Sequence, residues 1–424
     1  MKYTLTFIIT LILFSCSNQT DEESDNTISN EIEIVEVTKK KVRIGDTIIL
    51  KGKNLDKITS FKFKTIDDIL DNLPNMSPFE RNSEEVKIIV PTLTNEVFEL
   101  FAYQNNSIIN STSLNLIGTF PLKFNFQHDD VNCVKIVSEK TAFVAAEAKL
   151  YKTTDGGYNW KMIKDFGSYI GSNMFFLDDN NGWVGENYNN NFTLYHTQDG
   201  GNTFNKIFEK GFSYSPILNI YFSSPTDGYL IGNDGEIYQT NDNNNFDLIY
   251  NSSTSTAGSD FSFNAFSFYN NNLIAAGENS SNGKSILLQR INNIFSYSIF
   301  DTWTWDVQLL DESQAYISNN VNNNYKNEEN IFFANNITSS NWIKAGNQYI
   351  KYFHFINKNK GIGINYEENG NQRYSVIYET YDGGKNWINK FNFNNFEYSK
   401  DVDLYNNYGL ITGYRGKIWK HIFE

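Results

Sequence analysis

The sequence predicts an all-β protein: an N-terminal immunoglobulin-like β-sandwich followed by a seven-bladed β-propeller that an N-terminal strand closes. Three observations carry this. A ten-residue phrase, Tyr151-Lys-Thr-Thr-Asp155-Gly-Gly-Tyr-Asn-Trp160, returns at Tyr195–Phe204 and Tyr378–Trp387, with a degenerate copy at Tyr238–Phe246. Repeats at a near-constant period mean stacked supersecondary units. A second marker, a short apolar strand that often closes on glycine, occurs seven times after residue 120. Before residue 117 neither marker occurs, and apolar and polar residues alternate with the period of half-buried strands.

From the N-terminus, Met1-Lys2-Tyr3 is a short basic start and Phe7 to Phe14 an apolar run. The run is far shorter than the ~20 residues that span a bilayer, so it reads as the h-region of a signal peptide, residues 1–15. Leu13-Phe14-Ser15-Cys16 resembles the bacterial lipobox, which implies cleavage before Cys16 and a lipid on that cysteine. Such a lipid anchors a protein to a membrane without spanning it. Ser17, where an aspartate would resemble the inner-membrane retention signal, favours the outer membrane. The acidic stretch Asp21–Asp25 lies in a tether, residues 16–30, and resembles the patch that marks surface export in some lipoproteins. The cell surface is therefore expected, with the periplasmic face as the alternative.

Composition fits an extracytoplasmic protein that does not bind nucleic acid. Thirty-five basic and 49 acidic residues give a formal net charge of −14, which repels phosphate backbones. Beyond Cys16 only Cys133 remains, so the mature chain has no intramolecular disulfide. Cys133 falls in the strand-like run Val131–Val137 and reads as a buried small apolar residue.

Residues 31–117 form the expected sandwich. Strands are predicted at Glu31–Val37, Thr47–Lys51, Ser60–Lys64, Val86–Val90, Val97–Tyr103 and Ser111–Leu116, with a long loop over Ile66–Glu85. The segment from Val42 to Leu55, with turns at Gly45-Asp46 and Gly52–Leu55, resembles the start of an IPT/TIG domain. It lacks that domain's usual proline, and Leu55 stands where phenylalanine is common. The resemblance covers about a fifth of the chain and implies a spacer or interaction module.

Residues 118–424 form the expected propeller. Asp155, Asp199 and Asp242 follow at intervals of 44 and 43, and the 140 residues from Asp242 to Asp382 leave room for two worn units. The second marker counts seven units: Thr141–Ala146, Gly182–Gly185, Gly228–Gly232, Leu273–Gly277, Ala315–Ser318, Gly361–Ile364 and Gly409–Gly413. The last unit ends one strand short, and Leu122–Phe126 is the strand expected to complete it and close the ring. Asparagine runs at 189–191, 243–245 and 322–324 are assigned to hairpin turns, where Asn tolerates left-handed geometry.

The repeated Ser/Thr-x-Asp-x-Gly-x-x-Trp/Phe phrase resembles the Asp-box, or BNR, repeat. Its chemistry is internal. In Thr153/Asp155/Gly157/Trp160, Thr197/Asp199/Gly201/Phe204, Thr240/Asp242/Phe246 and Thr380/Asp382/Gly384/Trp387, the carboxylate and hydroxyl accept turn N–H groups. Glycines supply positive φ, and the aromatic packs between blades. A fifth unit keeps Trp342 while Ile337 replaces the aspartate. The propeller resembles the photosystem II stability/assembly factor family, a non-enzymatic scaffold, although that family's basic patch is not evident here.

Enzyme readings are weaker. A sialidase needs three converging arginines, and the propeller has only Arg290, Arg373 and Arg415, of which Arg290 belongs near a box-type turn on the wrong face. Four histidines without metal spacing imply no metal and no cofactor. A glycosidase built from scattered acids remains the runner-up. Loops from one blade to the next converge on the channel mouth and are rich in aromatics. Tyr169, Tyr214, Trp303, Trp305, Tyr349 and Tyr398, with Arg373 and Arg415, are the candidate ligand-binding residues. The expectation is a monomeric, non-enzymatic envelope lipoprotein holding a protein or glycan partner at that mouth.

Overall fold

The computed structural model describes residues 31–65, 68–126, 129–171, 173–211, 217–232, 235–254, 261–279, 284–301, 303–320, 330–337, 341–346, 348–369, 372–393 and 399–424. The expected signal peptide, lipidation at Cys16 and acidic tether fall outside them, as do Tyr214, Tyr398 and residues 322–324. Among the described residues no helix is long and apolar enough to cross a membrane.

Two four-stranded sheets form the sandwich. One orders Glu33–Val37, Thr47–Lys53, Glu85–Ile89 and Glu80–Arg81; the other orders Lys41–Val42, Ser107–Leu116, Val97–Gln104 and Ser60–Thr65. Strict alternation places Ile48, Leu50, Phe61, Phe63, Val86, Ile88, Phe98 and Leu100 in the core between them. The expected long loop after residue 66 is partly ordered: Met76 bridges Phe61, and Glu80–Arg81 adds a short edge strand.

Seven four-stranded antiparallel sheets follow as blades. Their first strands are Val131–Ile136, Met174–Phe176, Ile217–Phe222, Ser262–Tyr269, Trp303–Leu309, Tyr352–Phe355 and Ser399–Tyr405. First strands of neighbouring blades meet around the central axis at six junctions, and at the blade 3–blade 4 junction the second strand of blade 3 meets the first strand of blade 4. Every copy of the second marker lies in a blade's second strand. Three copies also open on glycine for a steric reason: a Cβ at Gly182, Gly228 or Gly361 would fall 2.1, 2.4 or 2.8 Å from the ring of Phe176, Phe222 or Phe355 at the end of the preceding strand.

The ring closes with an N-terminal strand in blade 7, but four residues earlier than expected. Gly118–Pro121, not Leu122–Phe126, pairs with Ile418–Ile422. The bonding runs one residue further, the Leu122 N–H donating to the Ile418 carbonyl at 3.0 Å. Phe124 and Phe126 instead turn inward, Phe126 packing edge-on to Tyr151 and beside Trp160.

The closing strand also fixes where the sandwich sits. It enters from the face that carries the box turns, and the sandwich docks there. The Glu96 N–H donates to Tyr158 Oη at 3.1 Å, and Lys420 Nζ lies 3.3 Å from Glu96. Arg43 reaches within 3.5 Å of both the fully buried Glu379 and Glu424. Gly118, at φ +79°, leaves room for that guanidinium, since a Cβ there would lie 2.5 Å from Nη1. Burial alone would raise Glu379, but His421, the Tyr381 hydroxyl and Arg43 outweigh it and hold the carboxyl down at about 2. His421 Nε2 is 3.3 Å from Glu379, off the line of a hydrogen bond, while Nδ1 meets Thr119 Oγ1 at 2.8 Å.

Candidate functional site

Each Asp-box turn joins a blade's third and fourth strands. Thr153 Oγ1 accepts the Gly157 N–H at 3.1 Å and donates to Asp155 at 2.8 Å, while Asp155 accepts the Asn159 N–H at 2.9 Å. Thr197 with Asp199 and Gly201, and Thr380 with Asp382 and Gly384, repeat the pattern. In the worn copy Asn243, at φ 60°, replaces the glycine, and its N–H donates to Thr240. Hydrogen bonds from Thr203 hold Asp199 at about 2, and those from Asn245 and Asn244 do the same for Asp242. These carboxylates are spent within their own turns. Two box aromatics pack on rings of the preceding blade, Phe204 beside Phe166 and Phe246 beside Phe208; Trp387 meets Phe355 of its own blade edge-on, and Trp160 shares a buried cluster with Leu410 of blade 7.

Strands alternate in direction, so the starts of the first strands open on the opposite face. A cavity of about 720 Å³ lies there along the axis. Five first strands carry a bulge near their start, between Val131 and Cys133, Ile217 and Asn219, Phe263 and Ala265, Thr304 and Asp306, and Ser399 and Asp401. A bulge re-aims the side chain that follows it. Asn219, Ala265, Asp306 and Asp401 line the cavity, with Lys135, Tyr221, Ser267, Gln308 and His354 also in its wall.

Several of these groups bridge blades. Asp401 accepts the Val134 N–H at 2.9 Å and Asp403 the Ile136 N–H at 2.6 Å, tying blade 7 to blade 1. Asp306 accepts the Phe353 N–H at 2.9 Å, and Gln308 both accepts from and donates to the Phe355 backbone, tying blade 5 to blade 6. Inner-strand edges have no ladder partner, so side chains must satisfy them. Burial pushes Asp306 up to about 7 and Asp401 up to about 6, against the opposing pull of those N–H groups. Burial likewise lowers His354 and raises Tyr352.

The mouth is aromatic. Lys351 Nζ sits 4.2 Å from the centroid of Trp305, 5.1 Å from Tyr352 and 5.2 Å from Tyr366. Such contacts favour a cation at each ring face. Trp305 Nε1 is buried and has no hydrogen-bond partner among the described residues. Trp303 is 38% and Tyr169 50% exposed, both on this face, and Tyr349 is half-buried in the loop before blade 6. Arg415, at φ 57°, stands exposed between the second and third strands of blade 7, its guanidinium over Tyr414. Arg373 begins the third strand of blade 6, and its side chain lies outside the described residues.

Arg290 is buried in the third strand of blade 4, donating to Tyr229 Oη at 2.6 Å and Gln239 Oε1 at 2.9 Å. It holds blades 3 and 4 together. Sequence reasoning did not single out Asp401, Asp403, Gln308, Lys351, Tyr352 or Tyr366. The signal was present: Asp306-Val-Gln308 and Asp401-Val-Asp403 put polar groups at alternate positions of strands expected to be apolar. Among the described residues, no group of three or more His, Cys, Asp or Glu is placed to hold a metal ion.

No family model and no curated protein matches the sequence. Solved structures do. YCF48 bound to D1 peptide and YCF48 from Cyanidioschyzon merolae both align at a TM-score of 0.54 and 13% identity. Each alignment covers 72% of this chain, and 96% and 99% of theirs. The propeller resembles YCF48. At this identity the likeness shows the fold alone. The GH74 enzyme of Niastella koreensis aligns at a TM-score of 0.39, too loose to carry an argument.

Proposed function

We propose that this chain is a cell-envelope lipoprotein, anchored through Cys16, whose propeller is a non-enzymatic scaffold holding a segment of a protein partner at the channel mouth. The IPT/TIG-like sandwich is then a spacer between membrane and propeller. The observation that carries the reading is the aromatic-walled cavity of about 720 Å³ on the face away from the docked sandwich. Its rings, with Asp306, Asn219 and Lys351 between them, suit an extended peptide, which needs flat apolar contacts and backbone hydrogen bonds together. YCF48 solved with D1 peptide supports a peptide as the kind of ligand for such a propeller. A photo-crosslinker at Trp303 in living cells tests it. One envelope protein recovered repeatedly supports the scaffold; glycan adducts, or no protein adducts on a labelled surface, refute it.

A second reading, a glycosidase, is favoured by one observation: Asp306 and Asp401 share the cavity and both are pushed toward neutrality. A raised carboxyl is what a general acid requires. Against it, each carboxylate already accepts two backbone N–H groups. Turnover of a chromogenic glycoside that Asp306→Asn abolishes would favour the enzyme.

A further inference from the structure

The outer strands of the blades form the rim of the propeller, and six of the seven are defended against pairing with another chain. Blade 1 carries Lys161 and Asp165 there, blade 2 Lys206, Glu209 and Lys210, blade 3 Asp247, blade 5 Lys344 and blade 6 Lys390, while blade 7 ends on Pro121. Charges, prolines and bulges are the usual protection of an edge strand. Blades 1, 2, 3 and 6 also have a register shift between third and outer strands, next to their box turns.

Blade 4 has none of this. It has lost the box, and its third and outer strands join through Asn292-Asn293, at φ 51° and 66°, the tight turn that matches strand twist. The ladder from Ile291↔Ile294 to Ser285↔Phe300 then runs without a shift. The outer strand, Ile294-Phe-Ser-Tyr-Ser-Ile-Phe300, has no charge and no proline, and Ile294, Tyr297 and Ile299 are 71%, 41% and 47% exposed. Among the described residues no further strand pairs with it.

We propose that this strand is a self-pairing edge through which two copies of the chain join antiparallel. The order of residues specifies the partner. About Tyr297 the strand is nearly palindromic: antiparallel pairing sets Ser296 opposite Ser298, Phe295 opposite Ile299 and Ile294 opposite Phe300 of the second copy. Apolar meets apolar, serine meets serine, and no like charges face each other. The backbone parity agrees. The turn makes Ile291 and Ile294 a hydrogen-bonded pair, so 294, 296, 298 and 300 bond inward and 295, 297 and 299 turn their N–H and C=O groups outward. That outward set is symmetric about Tyr297, as a two-fold axis through it demands. A net charge of −14 opposes indiscriminate association, so the uncharged edge is where two copies can approach. The proposal differs from the monomer expected from the sequence.

Ser296→Cys and Ser298→Cys test both partner and register. In this pairing the two positions form a non-hydrogen-bonded pair, Cα atoms ~4.5 Å apart, within disulfide reach. The full-length single variants are expressed separately and together, mildly oxidised in whole cells, and run on a non-reducing gel. Cys133 is buried and does not compete. A disulfide-linked dimer from co-expression, absent from either variant alone, is the expected result. Equal dimer from a single variant, or none from the pair, overturns the proposed register. Independently, the purified chain in detergent should have twice the protein mass of Ile299→Lys by light scattering, with unchanged circular dichroism. One monomeric mass for both overturns self-pairing and leaves the edge for the strand of another protein.

Discussion

Asp403→Ala is expected to loosen the ring where it closes. Asp403 is buried; its Oδ2 accepts the Ile136 N–H at 2.6 Å and lies 3.3 Å from Lys135 Nζ. Truncation leaves an inner-strand N–H and an ammonium group without that partner, across the junction of the last blade with the first. Hydrogen bonds to charged groups contribute ~1.5–3 kcal/mol, and breaking a fully buried pair costs ~3–5 kcal/mol. The Lys135 side chain keeps 32% of its surface in solvent, so the lower part of the range applies, about 3 kcal/mol. At about 2 °C per kcal/mol for a large domain, the Tm should fall by roughly 6 °C. Asp403→Asn keeps an oxygen for the Ile136 N–H and loses only the charge, so about 1 kcal/mol is expected. Urea titrations followed by tryptophan fluorescence measure both. If alanine costs under about 1 kcal/mol, or asparagine costs as much as alanine, the inner-strand carboxylates do not hold the blades in the way argued.

Other outcomes follow from the same geometry. Burial raises Asp306 to about 7 and Asp401 to about 6, above the ~3.9 of an unfolded chain, so the folded protein binds protons that the unfolded chain releases. Their contribution to stability is complete below about pH 4 and is lost as pH rises to about 7. Asp306→Asn should therefore gain on the parent across that window, and a stability difference that is flat with pH contradicts this. Trp160→Ala removes a buried ring that donates to the Gly157 carbonyl at 2.8 Å and packs on Phe126; a loss of ~3–5 kcal/mol is expected, and a calorimetric shift worth less than ~1 kcal/mol would mean the box aromatic is not a wedge. Trp303→Ala should leave stability within about 1 kcal/mol, as a partly exposed site, while abolishing partner recovery by a photo-crosslinker placed instead at the exposed Tyr169 on the same face; unchanged recovery removes Trp303 from the binding face.

Several features could be read before any coordinates. The box period and the seven short apolar markers, five of them with glycine, announced the blades, because a repeated turn needs the same residues each time it is built. Gly182, Gly228 and Gly361, which open second strands, are sequence traces of the phenylalanine rings packed against them. The closing strand was misplaced by four residues because Leu122–Phe126 and Gly118–Pro121 are both short and apolar; register, which only the partner strand selects, decided between them.

The chain by itself determined a sandwich followed by a seven-fold ring, with aspartates confined to their own turns, since those patterns are local and periodic. The cavity was decided only by tertiary structure. Its Asp306 and Gln308, Asp401, and Lys135 come from three strands far apart in sequence, and no local spacing relates one strand's polar groups to another's. Their roles arise when ring closure leaves inner edges without ladder partners and brings blade 7 against blade 1, so that a carboxylate meets an N–H some 267 residues away. Periodicity records what each blade does alone, and the meeting of the blades is not periodic.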